Sequence, residues 1–412
     1  MASKDRPHSS TNWRSRHRQA AHNAAHEDSH SRPALKIPEL PGLFRGEAEL
    51  IDDPKQIAPV IDAIRAAKVF AFDTEFIGES SYRPQTCLLQ LATHDALWLI
   101  DPIAGVDVTP FFELVVDPSL RTIVHAGEQD LEQVWRITGK IPANVFDAQI
   151  AAGFASMSYP ASLAKLVQET TGVKLNKGFT FTDWTARPLS GSQLRYAADD
   201  VRYLLLVVKK LDEMLASRER TTWAQEECDE RCKRLAFAFD PETAWERVRG
   251  SAGLDPRGVN ILKQLVAWRD LSARAADVPP RTLVKDECLI DLARSPAKNI
   301  DRLRMIKHLP RPIIDTQGED ILDAIVRGLA QPVEKSAKNE VDEPTLADKF
   351  RWDSLWTKTQ LMCYELGLDP AMVTSRQEIV ELDRSSESDE PSRLMTGWRR
   401  EAVGEKVERL LD

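Results

Sequence analysis

Two carboxylates beside a dense apolar segment are the first candidates for chemistry in this sequence. Val69–Phe72 is followed by Asp73-Thr-Glu75, and Phe76 continues the apolar character. If the segment is a β-strand, residues two apart point to the same face, so Asp73 and Glu75 lie side by side. Adjacent carboxylates repel each other unless a cation lies between them. The pair indicates either a divalent-metal site or two charges on a solvated sheet edge.

A third acidic residue follows a β-branched segment and a turn of small residues. Thr122–His125 is typical of a strand and Ala126-Gly127 of a turn, so Asp130 falls in the first turn of a predicted helix. Acidic residues are common there because they interact favourably with the helix dipole. Asp130 alone is therefore weak evidence for a metal site, and His125 is interpreted as a packed residue at a strand end.

A tyrosine and an aspartate share one face of a late helix. Residues 190–215 show apolar side chains at helical spacing, and Tyr196 and Asp200 are four residues apart, hence neighbours on another face. Asp199 is rotated about 100° away, which makes Asp200 the candidate ligand. The pair either faces solvent or faces a site lined by the strand acids.

The elements that must position these residues predict an α/β domain. Strands occur first as a meander and then alternate with helices, which implies a mixed sheet with helices on its faces. The predicted strands cover 69–72, 87–92, 97–100 and 121–125. The predicted helices cover 54–67, 109–116, 128–138, 147–155, 161–170 and 190–215. Beyond about residue 217 we find no convincing strand.

Composition divides the chain into segments. Residues 1–36 hold five of the eight histidines and almost no large aliphatic side chains, so they predict a disordered tail. Residues 37–240 form the predicted α/β domain, and 250–331 a helical domain. The polar stretch 332–350 predicts an acidic linker, and 351–412 a further helical domain.

Bulk composition excludes several protein classes. No run approaches the roughly 18 apolar residues needed to cross a bilayer, and the first residues lack the apolar stretch of a secretory signal. Five scattered cysteines fit a reducing cytoplasm rather than a disulfide framework. A net charge of −9 argues against non-specific coating of nucleic acid. We expect a soluble cytoplasmic protein; a monomer is favoured, although the sequence does not determine the oligomeric state.

In combination, the acidic motifs resemble a known family. Asp-x-Glu on a strand, Asp at a helix start and Tyr-x-x-x-Asp on a late helix resemble the DEDD exonucleases whose last motif carries a tyrosine. The segments Ser81–Leu91, Thr182–Leu189 and Tyr196–Leu204 resemble the signatures of ribonuclease D. The resemblance covers roughly residues 40–240 and implies a ribonuclease H-like exonuclease domain.

The resemblance continues into the helical part of the chain. Leu265–Asp270 and the residues up to Leu322 resemble the helicase-and-ribonuclease-D C-terminal (HRDC) domain, and Leu394–Glu401 resembles part of a second, degenerate copy. One or two all-α HRDC-type domains are therefore expected. Residues 255–312 carry twelve Lys and Arg against seven Asp and Glu. This basic excess suits a module that grips the folded part of an RNA; protein–protein docking is the alternative.

The family resemblance implies metal-dependent phosphodiester hydrolysis. Two divalent ions, Mg²⁺ or Mn²⁺, fit an all-oxygen ligand set. By resemblance, Asp73 bridges the two ions, Glu75 and Asp200 complete the ion that activates water, and Asp130 holds the second. Tyr196 lies beside the attacking water, where a phenol with an ordinary pKa near ~10 orients the water better than it removes a proton.

Five further residues are candidates for substrate binding. Phe76, Tyr82 and Trp184 are expected either to form walls around the last unstacked bases or to belong to the core. Lys177 and Arg187 are candidates for phosphate contacts, with a structural role as the alternative for Arg187. Arg195 is a further phosphate candidate.

The sequence as a whole predicts a 3′→5′ exoribonuclease. We expect it to release 5′-mononucleotides from RNA with a single-stranded 3′ end, and the resemblance suggests transfer-RNA precursors as the substrate. An exonuclease acting on DNA is one alternative, because the same metal site cleaves either backbone. A non-catalytic RNA-binding scaffold is another, which the presence of all four acids argues against.

Overall fold

The computed structural model describes residues 37–78, 81–175, 182–237, 241–332, 344–384 and 392–411. The predicted disordered tail, 1–36, lies outside these ranges, as does most of the predicted linker, 332–350. No helix within the described ranges combines the length and the apolar composition that crossing a membrane requires.

A six-stranded mixed sheet forms the centre of the N-terminal domain, which confirms the predicted α/β class. The strands are β1 Glu49–Ile51, β2 Val69–Ile77, β3 Gln85–Ala92, β4 Leu97–Ile100, β5 Arg121–Val124 and β6 Val145–Asp147. Their spatial order is β1-β4-β3-β2-β5-β6. Strand β2 pairs antiparallel with β3 and parallel with β5, so the strand that carries Asp73 and Glu75 is central.

Helices flank this sheet and bury its apolar side chains. They are α1 Ile57–Ala67, α2 Thr109–Val115, α3 Glu128–Thr138, α4 Ala148–Phe154, α5 Leu163–Thr171, α6 Gly191–Arg202, α7 Leu204–Ala216 and α8 Thr221–Phe237. Phe70 and Phe72 of β2 enter the core beneath α1, α2 and α3. Phe72 meets Phe112 edge to face, with ring centroids 5.9 Å apart. This burial fixes which face of β2 points inward and therefore where its carboxylates point.

Differences from the predicted elements concern short strands and element ends. Strands β1 and β6 were not predicted, because each is only three residues long and offers little periodicity. Strand β2 extends five residues past Phe72, through both carboxylates. The single helix predicted over 190–215 is two helices, α6 and α7, that meet at Tyr203.

The first helical region consists of α9 Pro256–Ala276, α10 Asp286–Arg294 and α11 Arg311–Ala330, with single helical turns at Pro280–Leu283 and Ile300–Leu303. Helix α9 packs along α11 and α10 around a core that includes Ile261, Leu289 and Ile321. Gly328 permits the close approach of α11 to α9, since a Cβ atom there would lie 2.5 Å from the Cα of Ile261.

The second helical region consists of α12 Leu346–Leu366, α13 Arg376–Arg384 and α14 Glu405–Leu411, with helical turns at Pro370–Val373 and Gly397–Arg399 and a π-helical turn at Arg400–Gly404. Helix α12 begins inside the stretch predicted as linker. Thr345 and Asp348 form a reciprocal cap at its first turn, which satisfies backbone N–H groups that the helix leaves free. Residues 385–391 lie outside the described residues.

Candidate active site

Asp73 and Glu75 lie on the half-buried end of the central strand. Each is half-buried, and the intervening Thr74 is buried and points to the other face. Across the antiparallel pair, Asp73 is opposite Gln90 and Glu75 is opposite Leu88. Helix α6 packs against β2, β3 and β4. The alternation of β2 therefore aims both carboxylates into the space between the sheet and its covering helices.

Asp130 reaches the same strand from the start of α3. The Asp147 carboxylate fixes the preceding turn by accepting hydrogen bonds from the backbone N–H groups of Ala126 at 3.0 Å and Gly127 at 3.1 Å. Gly127 is required there, because an added Cβ would lie 2.7 Å from the Cβ of Val124. One carboxylate oxygen of Asp130 then accepts hydrogen bonds from the Thr74 backbone N–H at 3.1 Å and from the Thr74 hydroxyl. These bonds join α3 to the strand between the two other acids.

Helix α6 brings Tyr196 and Asp200 over the sheet. The helix begins at a reciprocal cap in which Ser190 and Gln193 satisfy each other's backbone N–H groups. The Tyr196 hydroxyl donates a hydrogen bond to the Asp200 carboxylate. Asp199 instead forms an ion pair with Arg202 at 3.2 Å. Asp199 and Asp200 therefore point in different directions and have different partners, as their rotation around the helix predicts.

The four carboxylates perturb one another electrostatically, which places them in one site. Burial, followed by the negative charges of Asp130, Asp200 and Glu75, raises the pKa of Asp73 well above its usual range. Burial and the charges of Asp200 and Asp130 raise the pKa of Glu75 to about 8. Burial also raises the pKa of Asp130 to about 6 and that of Asp200 to about 7, against the hydrogen bonds from Thr74 and Tyr196. Four acids from β2, α3 and α6 therefore form one cluster in which negative charge is unfavourable.

The ligand set of this cluster fits hard divalent cations. Carboxylate oxygens are the donors that Mg²⁺ and Mn²⁺ prefer, and a bound cation would offset the repulsion that raises these pKa values. Across the described residues, no three His, Cys, Asp or Glu side chains already point their donor atoms at one ion position. Asp130 is turned towards Thr74 and Asp200 towards Tyr196.

Tyr82 lies away from the acids, at the contact with the first helical region. Only 8% of the residue is exposed, and its ring belongs to the core of that region. Its hydroxyl donates to Asp270 at 2.8 Å, and its backbone N–H donates to Asp277 at 3.1 Å. The guanidinium of Arg274 lies 5.4 Å from the ring centroid. This placement favours the packing alternative for Tyr82 over stacking on a base.

Arg187 is engaged by protein acceptors on every side. Its guanidinium forms a two-pronged ion pair with Asp101, at 2.5 and 2.6 Å, and donates to the backbone carbonyls of Cys87, Trp184 and Ala186. A guanidinium has five N–H donors, and these bonds occupy the fork that a phosphate would need. The structural alternative for Arg187 is therefore favoured. It ties the segment before α6 to β3.

The remaining substrate candidates fall in three different settings. Trp184 is buried and packs against Tyr196, with ring centroids 6.2 Å apart, so it supports the catalytic tyrosine candidate from behind. Phe76 is half-buried and follows Glu75 across an irregularity in the β2–β3 pairing. Arg195 is exposed on α6. Lys177 lies outside the described residues.

Four positioning residues were not predicted from sequence. Thr74 holds Asp130, and its hydroxyl accepts a hydrogen bond from Gln133 at 3.1 Å. Gln133 in turn accepts one from Thr86 at 2.6 Å. Asp147 fixes the turn before α3. The role of Asp147 could have been suspected from the sequence, because its side chain caps α4, the helix that follows it. The hydrogen-bond chain Thr74–Gln133–Thr86 joins three separate elements, and no local sequence pattern indicates it.

Comparisons with known proteins match this chain to an exonuclease domain, an HRDC domain and ribonuclease D proteins. A family model described as 3'-5' exonuclease matches residues 48–216, and the HRDC domain model matches residues 259–325. Ribonuclease D of Bartonella henselae is 32% identical over 370 residues, which cover 88% of this chain and 90% of that protein. Ribonuclease D of Gluconacetobacter diazotrophicus is 32% identical over 371 residues, covering 88% and 92%. The crystal structure of Escherichia coli RNase D, described as an exoribonuclease involved in structured RNA processing, matches with a TM-score of 0.76 and 28% identity, covering 89% of this chain and 99% of that one.

Proposed function

The chain belongs to the ribonuclease D family and is a 3′→5′ exoribonuclease, and we propose that it hydrolyses RNA with two divalent ions held by Asp73, Glu75, Asp130 and Asp200. The observation that carries the proposal is the convergence of four carboxylates from β2, α3 and α6, where burial above all, and neighbouring negative charges, raise their pKa values. Such a cluster is costly to a fold unless cations neutralise it in use. Mg²⁺ and Mn²⁺ are the ions that this all-oxygen set would hold.

The bound ions would supply a nucleophilic water at neutral pH and neutralise charge on the phosphate and on the leaving 3′ oxygen. Asp73, on the central strand, would be shared between the two ions. Glu75 and Asp200 would hold the ion beside the water, and Asp130 the other. Hydrolysis at the terminal phosphate, with the 3′ oxygen of the preceding nucleotide as the leaving group, would release a 5′-mononucleotide.

Tyr196 would orient the attacking water and would not remove a proton from it. Burial, together with the negative charges of Asp200, Glu75 and Asp73, raises the pKa of its phenol above the ordinary value. The hydroxyl therefore keeps its proton at neutral pH and acts as a hydrogen-bond donor and acceptor beside the reacting phosphate. Trp184 stabilises its ring position.

Phe76 is the residue that we propose for stacking against the terminal base of the RNA. Its half-buried side chain follows Glu75 directly, and the pairing irregularity between them changes the direction of the strand at that point. A stacking platform beside a carboxylate site suits an unpaired 3′ end, because stacking tolerates any base.

The first helical region supports a second contact with RNA. A cavity of about 610 Å³ lies between α9, α10 and α11, with an apolar floor that includes Ile261 and Ile325. Arg257, Arg294 and Lys298 line its rim and are exposed. We assign this basic face to the folded part of an RNA whose 3′ tail enters the active site. Linked modules raise the effective concentration of that tail at the site.

Transfer-RNA precursors with a single-stranded 3′ tail are the substrate we propose, bound by a monomeric enzyme in the cytoplasm. The five cysteines are all free and buried, which supports a reducing compartment.

Digestion of matched oligonucleotides tests the proposal. A structured RNA with an extended 3′ tail, and a DNA of the same sequence, are incubated with Mg²⁺, with Mn²⁺ and with a chelator, and the products are sized. The proposal expects 5′-mononucleotides from RNA only when a divalent ion is present. Faster degradation of DNA would favour the alternative substrate. RNA binding without metal-stimulated cleavage would favour a scaffold.

A further inference from the structure

Gln90 on β3 is buried in an arrangement that packing does not explain. It is 0% exposed, and neither its side-chain Nε2 nor its Oε1 has a hydrogen-bond partner among the described residues. A glutamine amide carries two N–H donors and an acceptor oxygen, and burying them unsatisfied destabilises a fold. Methionine has nearly the same length and shape without that cost. A native residue of this kind requires a functional explanation.

The position of Gln90 in the sheet suggests such a functional explanation. In the β2–β3 pairing, Gln90 is directly opposite Asp73. Residues opposite each other on antiparallel strands point to the same face, with Cβ atoms about 4.5–5.5 Å apart. On its other side, Gln90 is opposite Leu99 of β4. Asp73 is thus the polar neighbour that the strand pairing gives to Gln90.

The covering helix closes this face. Helix α6, which carries Tyr196 and Asp200, packs against β2, β3 and β4. The side chain of Gln90 is therefore enclosed between the sheet and the helix that completes the cluster of acids. Because Gln90 is fully buried, its side chain does not reach a surface where RNA could contact it directly.

We propose that Gln90 is a positioning residue for Asp73: its amide, unpaired among the described residues, would donate an N–H to the Asp73 carboxylate when that carboxylate holds divalent ions, and would fix the direction of its oxygens. This inference rests on the proposed function. A neutral donor suits the position, because an Arg or Lys there would compete with the cations for Asp73. Hydrogen-bonded groups behind metal ligands commonly orient them in this way.

A matched control exists in the same sheet. Thr122 on β5 is also 0% exposed, and its hydroxyl also lacks a partner among the described residues. It is opposite Phe70 and Val145 in the sheet rather than an acid. Gln90→Met removes a buried, unpaired polar group beside the cluster of acids. Thr122→Val removes a buried, unpaired polar group away from that cluster.

The test measures binding and stability as well as turnover on the full-length protein. Mn²⁺ affinity is measured by isothermal titration calorimetry, Tm without metal by calorimetry, and kcat and KM on an RNA with a single-stranded 3′ tail. For Gln90→Met we expect an equal or higher Tm, Mn²⁺ affinity and kcat lower by about 10–100-fold, and an unchanged KM. For Thr122→Val we expect an equal or higher Tm with wild-type affinity and kcat.

Wild-type Mn²⁺ affinity and kcat in Gln90→Met would overturn the proposal. If that variant fails to fold, Gln90→Leu removes the amide in a smaller volume and is subject to the same expectations. Failure of both to fold would mean that the amide stabilises the core, which also overturns the proposal. Wild-type protein that binds no Mn²⁺ and cleaves no RNA would instead contradict the proposed function itself.

Discussion

Buried carboxylates in the active site and buried carboxylates at the helical contacts have opposite electrostatic surroundings. In the site, Glu75 is surrounded by other acids, and its pKa is raised to about 8. In the helical region, Asp286 pairs with Arg269 at 2.8 Å and with Arg281 at 3.0 Å. Although burial acts to raise the pKa of Asp286, the hydrogen bond and charge of Arg269 outweigh it and lower that pKa.

The contact between α8 and the second helical region also contains a buried acid that is paired with an arginine. Glu227 accepts hydrogen bonds from Arg399 at 2.7 Å and from the Trp398 indole at 3.1 Å. Burial acts to raise its pKa, but Arg399, Trp398 and Arg231 outweigh burial, and the net effect lowers it. An acid buried beside its own cation serves the fold. Acids buried beside one another are stabilised by an external cation, and this difference separates the proposed catalytic cluster from structural ion pairs.

Removing one acid of the cluster should give the largest change in function. We expect Asp73→Asn and Asp200→Asn to lower exonuclease turnover by about a thousandfold or more, the scale seen when a group that stabilises transition-state charge is lost. Both proteins should remain folded by circular dichroism and bind RNA by fluorescence anisotropy. Asp199→Asn, next to Asp200 but paired with Arg202, is the control and should keep most of its activity. Full turnover by Asp200→Asn would contradict the four-acid site.

Breaking a structural pair should instead affect stability. Arg399→Met leaves Glu227 buried without its principal partner, which should destabilise the protein by about 3–5 kcal/mol in urea unfolding. The adjacent Arg400 is exposed and makes only 4.0 Å pairs with Glu405 and Glu408, so Arg400→Met should change stability by less than about 0.5 kcal/mol. Equal stability of the two variants would show that the Glu227 pair does not hold the contact.

The two kinds of acid also predict opposite responses to pH. Glu75 has a folded-state pKa of about 8, whereas an unfolded-chain glutamate titrates near ~4.3. Between these values the folded state retains a proton that the unfolded state has lost, so stability without metal falls as pH rises from about 4 to about 8. Glu75→Gln removes this loss and should raise Tm at pH 8 by about 2–4 °C.

The same measurement at pH 4 and with Mn²⁺ present provides the controls. At pH 4 the two proteins should melt nearly alike, because Glu75 is then protonated in the folded state and mostly protonated in the unfolded state. Mn²⁺ should raise the Tm of the wild-type protein at pH 8 more than that of Glu75→Gln. A wild-type Tm that increases from pH 5 to pH 8 without metal would show that the cluster is not repulsive.

The smallest effect is expected at Tyr82, which belongs to the paired class of contacts. Tyr82→Phe removes the hydroxyl bond to Asp270 and should cost about 1 kcal/mol in unfolding. Turnover of a short single-stranded RNA should not change. Tyr364→Phe is the control, because Tyr364 is 80% exposed. If Tyr82→Phe leaves stability unchanged but Tyr82→Leu raises KM for RNA, the stacking alternative is correct.

Much of the site could be predicted because each of its parts is encoded locally. The alternation of β2 puts Asp73 and Glu75 on one face, and the helical repeat puts Tyr196 beside Asp200. Helix α3 has the bounds 128–138 that its sequence predicts. Periodicity and capping act between residues a few positions apart, so one sequence is enough to reveal them.

The roles of Arg187, Tyr82 and Gln90 depended on the tertiary structure. Arg187 bonds Asp101 across 86 residues, Tyr82 bonds Asp270 across 188, and Gln90 meets Asp73 only through strand pairing. A contact between residues far apart in the chain produces no periodic pattern in the sequence. The type of each side chain is compatible with several different surroundings, so the sequence does not reveal its partner. The sequence by itself determined which residues can do chemistry; the packing of distant elements decided which of their neighbours hold them in place.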